Sequence, residues 1–424
     1  MAVDTAKSLR SQVMYSVFVR NYSPEGTFDA LRADLPRLRA LGVDVIWLLP
    51  IHPIGLAQRK GTLGSPYAIR DYRAVNPEYG TLADFIALTG AVHALGMRVI
   101  IDVVYNHTSP DSVLAQAHPE WFYRRPDGSF GNRVGDWTDI VDLDYGQDGL
   151  WDYQIETLKY WAQYVDGFRC DVAPLVPLAF WQRARREVAA VRADCLWLAE
   201  SVEPAFVAYA RSRGMVGLSD SEIFQAFDVA YDYDVYPDFL RAATGEAPLA
   251  GYIAALNRQE GIYPDNYVKL RFLENHDRPR AAHLFADARV RRNWTAFQFF
   301  QKGMPLIYNG QEASCAHRPG LFDADRIDWS GEDVSDALRR LGALKRHPLM
   351  ADGDWSAKVV GADRVLAKVE RSGRRLLGAF WLGGETAPVA VDLPDGEYEN
   401  LANGRAARVE CGLLAGGEPV IVEA

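Results

Sequence analysis

The chain has 424 residues, of which 49% are hydrophobic and 24% charged, the balance of an ordinary globular protein with a large core. Its formal net charge of −10 disfavours binding to nucleic acid and to anionic membrane surfaces. Since no apolar stretch has the length of a signal peptide or membrane span, and the four cysteines lack metal-site spacing, we expect a cytoplasmic protein without disulfides or zinc.

Eight apolar runs alternate with stretches of helical period, a pattern that predicts β-then-α units around a parallel sheet. The predicted strands cover residues 13–20, 43–49, 97–104, 165–172, 196–200, 217–228, 267–275 and 305–310. Helices are predicted over 27–40, 81–95, 150–164, 177–191 and 294–301. Eight such units form a (β/α)₈ TIM barrel, an α/β fold.

Two segments depart from this alternation. About sixty residues, 107–166, separate the third and fourth strands, and only their last part has helical period. We expect a short inserted loop subdomain at about 108–148, which would overhang the reactive face of a barrel. Beyond residue 350, short β-like runs alternate with Gly and Asp turns, which predicts a catalytic barrel over 1–350 and a small all-β, sandwich-like domain over 351–424.

Four acidic residues lie at or just after the ends of predicted strands, namely Asp102, Asp171, Glu200 and Asp277. In a barrel, these carboxyl ends form the reactive face. A single acid at such a place is most often a helix cap or a turn residue. Four of them in apolar runs instead favour a buried cluster of carboxylates with a chemical role.

The two central acids have different neighbours. Arg169 precedes Asp171 by two residues on one strand, so both side chains point to the same side and the cation favours an ionised carboxylate. Glu200 follows the apolar run LWLA, where burial and nearby carboxylates raise the pKa and hold a proton. The pair suits a retaining displacement at a sugar carbon, which needs carboxyl groups about 5 to 5.5 Å apart.

Several motifs, in this order and spacing, resemble glycoside hydrolase family 13, the α-amylase family. They are DVVYNH (102–107), GFRCDVA (167–173), LAES around Glu200, ENHD (274–277), LGSPYAIRDY (63–72) and PLIYNGQE (305–312). The resemblance covers residues 12 to 350. It implies a (β/α)₈ barrel on which Asp171 is the nucleophile, Glu200 the general acid/base and Asp277 the third carboxylate that favours the distorted sugar ring.

The resemblance also implies a set of substrate-binding residues. His107 and His276 are similar to the histidines that donate to sugar hydroxyls, and Tyr67 resembles the ring that stacks beneath the sugar. Arg169 corresponds to the family's arginine beside the nucleophile. Asp102 completes this set, ranked below the other three acids because it can be mainly structural even within the family.

Two features depart from the family's pattern or leave it open. Pro174 and Leu175 stand where related amylases often carry Lys-His, so the contacts to the leaving group are undetermined. Calcium, common in secreted members, would draw on oxygens of Asn106 and Asp142, and two candidate ligands do not make a site. We expect no required cofactor, with calcium as an open alternative.

The leading hypothesis is retaining hydrolysis of α-1,4-glucosidic bonds in starch, glycogen or maltooligosaccharides, so the expected partner is an α-glucan. The alternative within the same family is α-glucan transglycosylation or cleavage of a disaccharide such as sucrose or trehalose, because the chemistry up to the intermediate is shared. A hypothesis of another class is a non-catalytic carbohydrate-binding scaffold. It predicts the loss of a carboxylate, whereas Asp171, Glu200 and Asp277 are all present.

Overall fold

The computed structural model describes residues 4–135 and 137–424, and its central feature is a closed barrel of eight parallel strands. The strands follow one another around the barrel in chain order, and the last pairs with the first. We name them β1 to β8: Met14–Val17, Val45–Leu48, Arg98–Val103, Gly167–Cys170, Leu196–Ala199, Val229–Tyr231, Val268–Arg271 and Met304–Tyr308. The predicted (β/α)₈ barrel is confirmed.

The sixth strand is the one that the sequence misplaced. It was predicted over 217–228, but β6 follows that segment, which instead contains the helical turn Asp220–Ile223. The sequence around this turn has a capping box, in which Ser219 and Glu222 satisfy each other's backbone N–H groups. The three-residue strand β6 was not recognised in the sequence because aspartates flank its short apolar run.

Helices follow most barrel strands, and each predicted helical segment overlaps one of them. The first long helix shows why: Thr27 accepts a hydrogen bond from the first turn, apolar residues recur every three or four positions, and Gly42 ends the helix with φ 98°. The α-helices are Val19–Tyr22, Phe28–Leu41, Leu82–Ala94, Val113–Ala117, Asp148–Trp161, Leu178–Val188, Pro204–Ser212, Asp220–Ile223, Tyr236–Ala243, Leu249–Ile262, Ala281–Leu284, Ala288–Phe300, Ser335–Lys345 and Pro348–Asp352. Short 3₁₀ helices cover Lys7–Ser11, Pro119–Trp121, Ala173–Leu175 and Gln311–Ala313.

The long segment between β3 and β4 is more regular than the sequence indicated. The two-residue strands His107–Thr108 and Val141–Asp142 pair antiparallel, and the helix Val113–Ala117 lies between them. These elements are too short for a periodicity to be recognised in the sequence. Because the segment leaves the barrel at the carboxyl end of β3, it lies over the end where the predicted site residues are.

After the barrel, the chain forms two four-stranded antiparallel sheets, as predicted. Strands β9 to β16 are Asp354–Val360, Arg364–Arg371, Arg374–Trp381, Val389–Ala390, Gly396–Asn400, Arg405–Glu410, Leu413–Leu414 and Val420–Glu423. One sheet has the order β9-β10-β11-β16 and the other β12-β15-β14-β13, with an apolar cluster shared by both. The sequence missed β13 and β14 because both are polar and largely exposed. The domain boundary at residue 350 stays a prediction.

The C-terminal sheets pack against the helix that precedes β8, Ala288–Phe300. Phe380 contacts Phe297 and Phe300, and the Trp355 indole N–H donates to the carbonyl of Phe300 at 3.1 Å. One continuous hydrophobic core therefore reaches from the barrel into the first of these sheets. Of the helices in the described ranges, none is both long and apolar enough to pass through a membrane.

Candidate active site

A cavity of about 250 Å³ opens at the carboxyl end of the barrel strands. Five of the residues predicted from the sequence line it, namely Tyr67, His107, Asp171, Glu200 and Asp277. The other lining residues were not predicted: Lys60, Ser65, Trp137, Asp139, Ile140, Val172, Leu321 and Phe322. They come from the loops after β2, β3, β4 and β8, whose proximity only the fold determines.

The floor of the cavity is a group of charges that we call the Arg169 cluster, consisting of Arg169, Asp102, Asp171 and Glu200. The guanidinium lies 2.7 Å from Asp171 Oδ1, 2.8 Å from Asp102 Oδ1 and 3.0 Å from Glu200 Oε2. Asp102 on β3 is the register partner of Arg169 on β4, which explains their contact. A single buried cation is thus shared by three buried carboxylates.

The two central carboxyl groups have raised pKa values although both contact this shared cation. Burial raises the pKa of Glu200 to about 7, opposed by Arg169 and assisted by the charges of Asp171 and Asp277. Burial also raises the pKa of Asp171. Arg169 opposes this rise, as the sequence predicted, but does not cancel it. Near neutral pH, Glu200 can therefore bind and release a proton.

The residue after Asp171 has an unusual backbone conformation. Val172 has φ 35° and ψ 45°, in the left-handed region, which is strained for a β-branched residue. In this conformation its N–H donates to Glu200 Oε2 at 2.8 Å. The turn after β4 thus ties the acid on β5 to the backbone that carries Asp171.

Asp277 projects into the cavity from the segment after β7. His276 Nε2 lies 3.2 Å from Asp277 Oδ2, and the Asp277 N–H donates to Asn275 Oδ1 at 2.9 Å. Burial would raise the pKa of Asp277, but the charge and hydrogen bond of His276 lower it below the ordinary value. Asp277 is therefore the carboxylate of the cavity that holds its negative charge most firmly.

Tyr67 connects the cavity wall to the buried polar groups beneath it. Its ring stacks on His276 with centroids 5.6 Å apart, and its hydroxyl lies 2.7 Å from His276 Nε2. The same hydroxyl donates to Asp102 Oδ2 at 3.2 Å. Asp102, Arg169 and His276 lie below the wall and contact the lining residues, so their direct contact with a substrate stays a prediction.

His107 lies at the side of the cavity formed by the long segment after β3. Its Nε2 is 3.9 Å from Asp171 Oδ2, and its ring packs on Trp137 with centroids 5.4 Å apart. Burial lowers the pKa of His107 to about 4, so the ring is neutral at neutral pH. Because the Asn106 amide nitrogen lies 3.2 Å from Nδ1, the proton belongs on Nε2, where it can donate into the cavity.

A polar contact beside Asp277, which we call the polar tie, was not predicted from the sequence. The Arg278 guanidinium donates to Glu203 at 2.8 Å and packs on the rings of Tyr233 and Tyr236, 4.5 and 4.4 Å from their centroids. The sequence signal for this contact was the position of its two residues. Arg278 directly follows Asp277, and Glu203 follows Glu200 by three residues. The tie links the loops after β5 and β7 on the Glu200 side of the site.

The two calcium candidates do not form a cation site. Asp142 Oδ2 accepts from the backbone N–H of Arg133 at 2.7 Å and faces the Arg133 guanidinium at 3.7 Å, while the Asn106 amide is directed to His107. Asp142 Oδ1 is buried without a partner, which leaves one free oxygen. Across 4–135 and 137–424, no group of three or more His, Cys, Asp or Glu residues could hold a metal ion.

Comparisons with known proteins agree along the whole chain. Residues 12–348 match the family model described as the α-amylase catalytic domain, and residues 357–422 match that of the bacterial α-amylase C-terminal domain. The solved structure of an α-amylase from Lactobacillus plantarum is 50% identical, with a TM-score of 0.97 over 99% of this chain and 100% of that chain. A maltogenic α-amylase from Thermotoga neapolitana is 34% identical, with a TM-score of 0.86 over 98% and 99%.

Curated relatives of known name are longer. Alpha-1,4-glucan:maltose-1-phosphate maltosyltransferase 2 of Streptomyces coelicolor is 33% identical, over 90% of this chain and 60% of that protein. The alpha-1,4-glucan:maltose-1-phosphate maltosyltransferase of Rhodospirillum rubrum is 34% identical, over 59% of this chain and 36% of that protein. The chain thus spans less than two thirds of the length of these relatives.

Proposed function

We propose that this chain, which belongs to the α-amylase family of enzymes, cleaves α-1,4-glucosidic bonds of maltooligosaccharides with retention and passes the glycosyl group to a sugar acceptor. The observation that carries the proposal is the Arg169 guanidinium shared by Asp171 and Glu200, with a pKa of about 7 for Glu200. Two neighbouring carboxyl groups, one of which can hold and release a proton near neutral pH, are what a double displacement requires.

In the first step, Asp171 is the nucleophile and Glu200 the general acid. A carboxylate oxygen of Asp171 forms a bond to the anomeric carbon while the bond to the glycosidic oxygen breaks, and that oxygen takes the proton of Glu200. The leaving chain departs as an alcohol and a covalent glycosyl-Asp171 remains. Arg169, held between the carboxylates, favours the anion of Asp171 against the effect of burial.

In the second step, Glu200 acts as the base. It takes the proton of an acceptor hydroxyl, whose oxygen bonds to the anomeric carbon as the bond to Asp171 breaks. The inversions of the two steps cancel, so the product keeps the α configuration. Asp277 and neutral His107 line the cavity and can bind hydroxyls of the glycosyl group, while the partly exposed Tyr67 offers a ring for it to stack on.

Partly exposed polar groups on the Glu200 side favour a sugar as the acceptor. The side chains of Glu203 and Arg278 are 34% and 27% exposed, so both can bind the hydroxyls of a second sugar. The curated relatives are named maltosyltransferases. These names favour transfer over hydrolysis, which was the leading hypothesis from the sequence. Net hydrolysis is the second candidate, supported by the α-amylase titles of the two solved relatives.

Product analysis from maltoheptaose tests the proposal. We expect oligosaccharides longer than the substrate at early times, with a share that rises with substrate concentration because sugar competes with water for the intermediate. Asp171→Asn serves as the inactive control. Exclusively shorter products at every concentration would establish hydrolysis instead, and a wild-type enzyme that leaves maltoheptaose, starch, sucrose and trehalose intact would refute both candidates.

A further inference from the structure

The position of Glu200 fixes the direction in which a bound glucan runs. The proton donor lies beside the leaving oxygen, so the leaving chain extends towards the side of β5. In a closed barrel of eight strands, β1 lies opposite β5, with β2 and β8 on either side of it. The non-reducing part of the glucan, which becomes the transferred glycosyl group, therefore points towards the loops after β2 and β8.

Those two loops are bonded to each other. The backbone N–H groups of Leu63 and Gly64 donate to the carbonyl of Phe322 at 2.9 and 3.1 Å. The N–H and hydroxyl of Thr62 donate to Asp323 Oδ1 at 2.8 and 2.5 Å. The contact is close enough that a Cβ on Gly61 would lie 2.7 Å from Phe322 Cβ.

An ion pair joins a third loop to this contact. Lys60 Nζ lies 2.9 Å from Oδ1 of Asp139, which is buried and belongs to the long segment after β3. The same ammonium lies 5.7 Å from the centre of the Phe322 ring. Lys60, Asp139 and Phe322 all line the cavity that contains Asp171 and Glu200, so the three loops meet at its wall.

We infer that Lys60, Asp139 and Phe322 close the non-reducing end of the cleft, so that the enzyme works from chain ends and transfers short glycosyl groups. The inference rests on the proposed function and specifies its donor. The cavity volume agrees with it, since about 250 Å³ is below the usual size of about 300 to 1,000 Å³ for small-molecule pockets. A glucan threaded through the cleft would have to separate all three loops.

The test compares p-nitrophenyl maltoheptaoside with the same compound carrying a 4,6-ethylidene group on its non-reducing glucosyl residue. Products are separated by chromatography, so that cleavage at any bond is seen. The inference predicts that the block lowers the wild-type rate by about 100-fold or more, because a chain end that cannot enter the closed pocket is rejected sterically. Equal rates would overturn the inference and leave the proposed function intact, whereas no cleavage of either compound would refute the proposed function itself.

Two variants assign the closure to these residues. Lys60→Ala and Phe322→Ala are expected to raise the ratio of blocked to unblocked rates by about tenfold, equivalent to about 1.4 kcal/mol. Lys368→Ala, which removes an exposed ion pair with Glu370 on the C-terminal sheets, is the matched control and should leave the ratio unchanged. A ratio that stays at the wild-type value in both folded test variants would overturn the role of these side chains.

Discussion

The Arg169 cluster and the Glu274–Arg280 pair are both buried near strand ends of the same barrel, yet their charges are balanced differently. Arg280 Nη1 donates to Glu274 Oε1 at 2.7 Å, and the Ala281 N–H donates to the other oxygen at 2.6 Å. One cation thus meets one carboxylate. Arg169, by contrast, is shared by three carboxylates, so the cluster has an excess of negative charge.

This difference in charge balance distinguishes a structural ion pair from a cluster that can take part in proton transfer. A one-to-one buried pair holds its loop in place, and removing one partner leaves an uncompensated charge that costs about 3 to 5 kcal/mol. A cluster short of cations lowers its energy by binding a proton, and Glu200, whose pKa burial raises to about 7, is one of the groups that can bind it near neutral pH. The excess of negative charge destabilises the fully ionised cluster. It also allows the cluster to hold a proton that it can donate.

Asp171→Asn should have the largest effect on activity and little effect on stability. An amide does not attack the anomeric carbon, so we expect kcat/KM to fall by about 10⁴-fold or more. Because the substitution removes one of three competing carboxylates, the Tm should stay within a few degrees of wild type or rise. Initial rates on maltoheptaose and thermal unfolding measure the two effects, and activity within tenfold of wild type would exclude Asp171 as the nucleophile.

The pH dependence should report the proton on Glu200. Since the acid works only when protonated, kcat/KM for maltoheptaose should be high below pH 7 and fall as the pH rises through the Glu200 pKa of about 7. With α-maltosyl fluoride, whose leaving group needs no proton, the alkaline decline of kcat/KM should disappear. The same decline for both donors would show that another group titrates. The raised pKa also means that protonated Glu200 stabilises the fold at low pH, a contribution lost above about pH 7.

Glu274→Gln and Asp102→Asn compare the two regions directly through stability. Glu274→Gln leaves Arg280 without its buried counter-charge, so the free energy of unfolding should fall by about 3 kcal/mol or more. Asp102→Asn leaves Arg169 with two carboxylates and should cost clearly less. Denaturant titrations of both variants check this, and a larger loss for Asp102→Asn would contradict the difference in charge balance.

Arg278→Ala should give the smallest change, mainly in the choice of acceptor. Losing the tie to Glu203 removes a polar group on the leaving side, so we expect the share of transfer products from maltoheptaose to fall several-fold, about 1 kcal/mol. Arg278→Lys, which keeps the positive charge, serves as the matched control, and an unchanged share of transfer products in Arg278→Ala would exclude this role.

The sequence predicted the parts of the site that depend on strand geometry. Asp171 and Arg169 share a side of β4 because side chains alternate along a strand, and barrel topology brings the strand-end acids together. The loop contacts could not be predicted in this way. The tie between Arg278 and Glu203 joins residues 75 apart in the chain, and no local pattern indicates such a pairing.

Backbone conformation limits sequence prediction as well. Val172 adopts a left-handed backbone conformation that β-branched residues disfavour. A sequence pattern would therefore assign it to a strand or helix. Its strain is sustained by the structure around it and directs a backbone N–H to Glu200. The misplaced sixth strand and the missed polar strands β13 and β14 have a related cause, because their apolar residues are too few to mark a strand.

Intact-protein and peptide mass spectrometry of Glu200→Gln incubated with α-maltosyl fluoride tests the central claim most directly. The fluoride leaves without a proton, and the missing base slows the second step, so a glycosyl group should accumulate on the enzyme. A double displacement through Asp171 predicts one maltosyl adduct on the peptide that contains this residue. Turnover without an adduct and with inverted product, or an adduct on another carboxylate, would contradict it.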